Sequence, residues 1–562
     1  MDAAKLLTAV PDRHTALRLF AQCTLHKLLL LLGLEVMYCL QDSPCEQWDE
    51  WRGPLSVGID SMVNGFLAAL TNRDSIPADS LIIAYIAIAA GGLGLMDAHT
   101  RAIPDFVLTM SQAIRYAEKG FSFDSSAPAF MLPASLSALF SGRANRTSHF
   151  LKHFYQLLGD VALAATHTDC CDPVSFLLSH GSLKSARDRL KKAASTRRLA
   201  MLPRVARPQL KFLLSEIMIA SSSYPIIGMC RSIPSHRRPN DLFLINLKMK
   251  LCLELYDVTN SPSCLCGAVI DVFGMHTFCC RRVSKKIMHD RIRDDTAPTL
   301  RTILLTAGII GKGSRVDVEP KHIIKELPNL RPFDSWFRPV PSLKRTTVPP
   351  IPYTCVGLDF TITSPKGHVP PSKRSRAPKK PAPAAKHLIS KERPKLMRNG
   401  KSDPYNFNSL TGEEIIERLL IGMCILLPVA ISPYGRWGPM FHNFLFGRMK
   451  EIYKFPKTRP NAEKMYNRAM NYPAPIGIIP LATATWKKEK PKQQYFYGHS
   501  YTPPTPREYA VQNLGLAISN AVALHIRDAR ESLLVPPTHE DDEDFDLDDD
   551  NEQVHTDAIL DE

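Results

Sequence analysis

The chain has 562 residues, with 70 Lys and Arg against 55 Asp and Glu, for a formal net charge of +15. A hydrophobic share of 44% excludes a wholly disordered chain, the 28 scattered glycines exclude a collagen-like repeat, and the length leaves room for roughly three to five folding units. Thirteen cysteines are too few for a disulfide-stapled secreted scaffold; their odd number, and the lack of a signal-peptide pattern over 1–20, point to a reducing compartment, nuclear or cytoplasmic and not secreted.

Residues 1–165 read as helical, with apolar residues at helical spacing in Ala16–Leu34 and Val57–Leu70 and a loop carrying Trp48 and Trp51 between them. Two runs are strongly apolar. Leu28–Leu34 is bounded by His26, Lys27 and Glu35, and Leu81–Leu95 is interrupted by Gly91-Gly92, so both read as core; no membrane span of about 18 residues is expected. Residues 166–257 form a basic, partly helical connector, with Lys and Arg clustered over Ser182–Arg207. A compact Cys/His segment occupies 258–281. Residues 282–450 are mixed, with strand-like VDVEP and GLDFTIT, and are interrupted at 366–386 by the Pro/Lys/Arg-rich KGHVPPSKRSRAPKKPAPAAK. That composition predicts an extended basic linker, and its PSKRSRAPKKP run also suits a nuclear address. Ile415–Ile431 is strongly apolar, 451–538 is an extension ending in an amphipathic helix over Arg507–Leu534, and 539–562 is an acidic tail predicted to be disordered.

The charge is unevenly spread. Glu540–Glu562 carries 13 acidic residues and no Lys or Arg, which leaves the other 539 residues at +28. The tail reads as a solvated end; the sharper alternative is a mimic of nucleic acid that screens a basic site.

Three groups of residues are suited to chemistry. Cys264, Cys266, His276 and Cys280 supply three sulfurs and an imidazole within 17 residues, a set that fills the tetrahedron of a structural Zn²⁺ with no position left for water. The alternative is a small core of buried thiols, as Cys252 and Cys279 read. Next comes a basic run, Arg281, Arg282, Lys285, Lys286, His289, Arg291 and Arg293, which on a helix suits phosphate neutralisation or, more plainly, a solvated surface. Glu319, Asp334 and Asp359 then fall in strand or turn contexts. Alternation in GLDFTIT sends Asp359 and Thr361 to one face and Phe360 and Ile362 to the other. Carboxylates converging from neighbouring strands can hold Mg²⁺, with a nearby Lys to stabilise phosphoryl charge; taken singly, each acid is more often an exposed cap or an ion-pair partner.

The ordered series C-x-C-G…D…G-x-H-x3-C, then His289-Asp-x-x-Arg-Asp, then AG…EP…RPFD…GLDFTIT resembles the C-terminal region of reverse-transcriptase proteins from non-LTR retrotransposons that carry a restriction-enzyme-like endonuclease. Reverse-transcriptase-like reading frames of protists and algae carry the same type of series. The likeness covers 240–365 best and extends toward 440 through PVAISPYGRWG. Residues 15–38 and IAAGGLGLMDAHTRAIP, with Gly91, Gly92 and Gly94, are similar to the thumb and connector that follow the palm. The resemblance implies a multi-domain α and α/β protein: a helical thumb/connector-like region, a zinc knuckle on Cys264, Cys266, His276 and Cys280, and a PD-(D/E)xK-like nuclease core. It puts Asp334 and Asp359 in catalytic roles with Mg²⁺, adds Glu319, and leaves the catalytic lysine to Lys395, with Lys391 and Lys401 as alternatives. No aromatic-x-Asp-Asp polymerase motif is present; Asp294-Asp295 is the one Asp-Asp pair outside the tail. The expected function is a metal-dependent DNA endonuclease lacking the polymerase palm, or else a non-catalytic nucleic-acid-binding remnant, with DNA or RNA and a separate reverse transcriptase as partners.

Overall fold

The computed structural model describes residues 6–25, 54–95, 195–228, 238–256, 264–306, 310–320, 334–338, 355–362, 424–446 and 506–534, apart from isolated positions within these ranges. Arg281, Arg282, Lys395, the insertion 366–386 and the tail 539–562 lie outside them, as does the side chain of Lys285.

The N-terminal helices follow local chemistry. Asp12 caps α1 (Arg13–Leu19), accepting from the His14 backbone N–H, and the helix continues as a π-helical turn over Phe20–Thr24. The apolar face predicted over Val57–Leu70 lies in α2 (Pro54–Thr71), where Val63, Leu67 and Leu70 are fully buried. The Leu81–Leu95 run divides into α3 (Ala78–Tyr85), a 3-10 turn at Ile88–Ala90 and a stop at Gly91, whose φ of 89° is left-handed. A Cβ on Gly91 would stand 2.2 Å from the Ile219 nitrogen, and one on Gly92 1.9 Å from the Ile86 carbonyl oxygen. The glycines are therefore demanded by close backbone approach as well as by φ.

Short helices α4 (Leu214–Ile217) and α5 (Ala220–Ser223) lead through a π-helical turn, Tyr224–Gly228, toward α6 (Asn240–Lys250). Arg207 joins several of these parts: its backbone N–H and Nε reach Asp79 Oδ2 at 3.0 and 2.9 Å, Nη2 reaches the Cys252 carbonyl at 2.8 Å, and the guanidinium lies over the Phe273 ring. Asp79 is buried, so this pair is fixed by its hydrogen bonds rather than screened by water.

The basic run enters α7 (Lys285–Thr306). Beyond it, a mixed four-stranded sheet takes the order β1 (Asp317–Val318), β2 (Ser335–Phe337), β3 (Cys355–Ile362), β4 (Cys424–Ile431). The first three strands form an antiparallel meander, and β4 runs parallel to β3 over its full length, from Cys355↔Cys424 to Ile362↔Ile431. Parallel pairing requires a crossover connection, and the Pro/Lys/Arg-rich insertion falls in the sequence between these two strands. β3 is paired on both sides, and Cys355 through Phe360 are all buried, on both faces of the alternation. Helix α8 (Pro439–Phe446) packs on β4, and Phe444 meets Phe337 of β2.

The last helix, α9 (Pro506–Leu534), packs along α7 and also touches α5, α6 and the Tyr224–Gly228 turn. One continuous cluster of buried side chains runs from Ala16 in α1 to Ala529 in α9, so the sequence units share a core. Among the described residues, no helix is long and apolar enough to cross a membrane.

Candidate metal centre and acidic sheet edge

The Cys/His segment folds around a carboxylate. Asp271 Oδ1 accepts from the Phe273 and Met275 backbone N–H groups at 3.1 and 3.0 Å, and Oδ2 accepts from the His276 N–H at 2.6 Å. This is the local hydrogen bonding by which Asp shapes tight turns, and it presents a 3-10 turn at Met275–Phe278 that carries His276. Gly274 supplies a left-handed φ of 72°, and the Leu255 and Tyr256 N–H groups both donate to the Val272 carbonyl.

On this frame the ligand atoms of Cys264, Cys266, His276 and Cys280 all lie within 4.8 Å of one another. The Cys264 and Cys280 sulfurs are 3.3 Å apart, as are the Cys266 sulfur and His276 Nε2. Cys264, His276 and Cys280 are buried, while Cys266 is exposed. Burial and the neighbouring sulfurs push the Cys264 thiol up to about 12, so without a cation it stays protonated; a metal would displace that proton. Three sulfurs and one imidazole at this spacing fit zinc, and the four would close its coordination. Among the described residues this is the group of His, Cys and carboxylate ligands close enough to hold a metal. Cys252 is a buried free thiol, as expected, and burial pushes it up to about 12; Cys279 lies outside the described residues.

Distant segments buttress the knuckle. The Tyr434 hydroxyl donates to Met275 Sδ at 2.8 Å from the turn after β4, within the predicted PVAISPYGRWG element. From α9, His525 stacks on Phe278 and its Nε2 lies 3.3 Å from the Thr277 carbonyl. A carbonyl only accepts, so Nε2 carries the proton; burial lowers the His525 pKa and favours that neutral form.

The three acids adjoin one another on the meander. Glu319 follows β1 and its N–H donates to the Asp334 carbonyl at 2.9 Å. The Asp334 N–H donates to the Leu358 carbonyl at 2.9 Å, and its carboxylate accepts from the Phe360 N–H at 2.5 Å, so Asp334 brackets Asp359 along the backbone. Asp359 is buried at 4% exposure, whereas Asp334 and Glu319 are partly open. Glu319 holds a φ of 47°, a left-handed conformation uncommon for a residue with a Cβ.

Much of the predicted basic run turns inward. His289 bridges Asp334 (Nε2 at 3.1 Å) and Asp290 (Nδ1 at 3.2 Å). Arg293 is buried against Asp290, Asp294 and Glu319. Arg291 pairs with Asp528 of α9 at 2.6 Å, while Lys286 stays exposed. Asp334 and Glu319 therefore meet basic side chains of α7, and the three acids do not form a second three-ligand metal group among the described residues. Sequence reasoning placed Asp271 within the Cys/His series and Tyr434 within PVAISPYGRWG without giving either a role, and did not single out His525. An Asp three residues before a Gly is a readable turn signal for the first; nothing local marks the other two, whose partners are remote in the chain.

Compared with protein-family models and with curated proteins, the chain matches none.

Proposed function

We propose that the chain acts on nucleic acid as the C-terminal portion of a retrotransposon-type reverse-transcriptase protein, with a metal-dependent DNA endonuclease site on its mixed sheet and a zinc knuckle beside it. The observation that carries this reading is the adjoining placement of three acids along the meander, Glu319 just after β1, Asp334 just before β2 and Asp359 within β3. Mg²⁺ binds through one or two carboxylates and keeps several waters, so Asp334 and Asp359 suit it in number and kind. Bound there, it would polarise a phosphodiester and make a coordinated water a better nucleophile. The chain's own part is to fix the carboxylates: the Phe360 N–H orients Asp334, and burial in the interior strand restrains Asp359. Lys286 and the neighbouring basic residues would supply phosphate neutralisation. The test is nicking of a supercoiled plasmid with Mg²⁺. Activity in the wild type, lost in Asp359→Asn at unchanged zinc content and thermal midpoint, supports the reading; equal activity in both sinks it.

One observation favours a second reading, nucleic-acid binding without cleavage. His289 and Arg293 already pair with Asp334 and Glu319, engaging the carboxylates that a metal would need. Salt-sensitive DNA binding with no Mg²⁺-dependent nicking at any pH from 6 to 9 would decide for it.

A further inference from the structure

Beside the acids, the same meander carries cations that the reading above does not use. Trp336 and Arg338 alternate with the buried Ser335 and Phe337, so they occupy the opposite face of β2. Arg338 is exposed, and its guanidinium lies 4.8 Å from the centre of the Trp336 ring. That distance is within the range of a cation–π contact, which holds the planar group in place while leaving its N–H edge outward. Trp336 stands opposite Gly357 on β3, which has no side chain to displace the ring. Its indole N–H is buried and has no hydrogen-bond partner among the described residues.

Across from this pair, the β1 register sets Asp317 opposite Trp336. The pairing ends at Asp317↔Trp336; continued two residues beyond the strands, the same register would bring Arg315 opposite Arg338, and Arg315 is exposed as well. Neither arginine forms an ion pair with a described residue, in contrast to Arg291 and Arg293. Like charges placed across a strand pair are destabilising by themselves, and an anion between them reverses the sign. Two forks of N–H donors beside an aromatic ring suit a phosphate, which guanidinium groups bind in a bidentate manner.

We propose that Arg315 and Arg338, the latter held by Trp336, bind a backbone phosphate of DNA at the exposed end of the meander. Four residues of strand separate Asp334 from Arg338, roughly 13 Å, so the bound phosphate flanks the acids and is not the one that they would attack. Arg338 and Arg315 are binding residues; Trp336 positions Arg338. The proposal rests on the nucleic-acid reading and names a contact within it.

The experiment uses the full chain and a fluorescein-labelled 30-base-pair DNA duplex, with anisotropy read over a series of KCl concentrations. Each phosphate contact adds about 0.9 to the slope of log affinity against log salt. Arg315→Ala/Arg338→Ala removes that one phosphate contact and is expected to flatten the slope by about 0.9 and to weaken binding at least tenfold at 100 mM KCl, with zinc content unchanged. Arg338→Lys keeps the charge and the slope but loses the planar stack, and Trp336→Leu weakens binding severalfold although no charge is removed. An unaltered slope and affinity in the double variant overturns the proposal, as does absence of DNA binding by the wild type. Should the double variant fold poorly, judged by its thermal midpoint, Arg338→Lys and Trp336→Leu decide: wild-type affinity in both also overturns it. Plasmid nicking separates the two readings. Loss of binding in the double variant with no nicking by the wild type leaves the phosphate site standing and removes the endonuclease; nicking with unchanged binding does the reverse.

Discussion

Replacing Asp271 by Ala tests whether one carboxylate organises the metal centre. In the native knuckle it accepts three backbone N–H groups, at 3.1, 3.0 and 2.6 Å, and the shortest comes from His276, one of the four residues that could hold a metal. A hydrogen bond to a charged acceptor contributes about 1.5–3 kcal/mol, and three on one group are not additive, so a net loss of roughly 3 kcal/mol is expected. Expressed entirely in metal affinity, that is about a hundredfold, at the upper end of the usual cost of losing an outer-shell partner. Asp271→Asn separates geometry from charge. Its carbonyl still serves Phe273 and Met275, but its amide faces the His276 N–H donor to donor, and a loss of about tenfold follows. The assay is competition between zinc-loaded full-length protein and a chromophoric chelator at pH 7.5, with thermal unfolding alongside. Zinc affinity within twofold of wild type for Asp271→Ala would refute the idea that this carboxylate fixes the His276 turn.

Purified protein should carry about one zinc per chain by elemental analysis, and Cys264→Ala/His276→Ala should carry none; retention in the double variant would sink the ligand set. Lys250 is buried, donates to the Ile217 carbonyl and to Ser222 Oγ, and burial lowers its pKa to about 7 from an ordinary 10.5. Between those values the unfolded chain holds the extra proton, so this group makes stability rise with pH across that window, and below about pH 7 its buried charge costs stability throughout. Lys250→Met should therefore gain most relative to wild type near pH 6–7 and lose that advantage toward pH 10, by a few kcal/mol overall, in urea unfolding; a pH-independent difference would contradict the assignment. Gly92→Ala brings a methyl group to 1.9 Å from the Ile86 carbonyl oxygen and should destabilise by about 2 kcal/mol or more, read as a lower denaturation midpoint; an unchanged midpoint would show that the contact relaxes freely.

The parts legible in the sequence are those whose signal is local and repeated. GLDFTIT alternates over enough residues to mark β3, and Arg507–Leu534 holds an apolar stripe long enough to mark α9. Cysteine spacing singled out four residues that the fold brings together closely enough to hold a metal. Strand β2 escaped notice because three residues leave no period to read, and only pairing with β3 makes Ser335–Phe337 a strand. The basic run was legible as charge but not as a set of partners. Arg291 finds Asp528 on a helix more than two hundred residues away, and Arg293 finds Glu319 only because the chain turns back after α7. Composition counts the charges; tertiary structure decides which remain open to a ligand.

Helix α9 also sets an order of events in time. His525 reaches back 248 residues to Thr277, and Arg527 reaches back 286 to Asp241. A ribosome adding roughly 5–20 residues per second takes about 12–50 s to traverse the first of these intervals. Throughout it, the apolar surfaces of α6, α7 and the knuckle that α9 finally covers have no partner to cover them. Zinc captured early would hold the Cys264–Cys280 loop in shape during that wait, and a nascent chain stalled before residue 506 would present its sticky flank to chaperones or to other nascent chains.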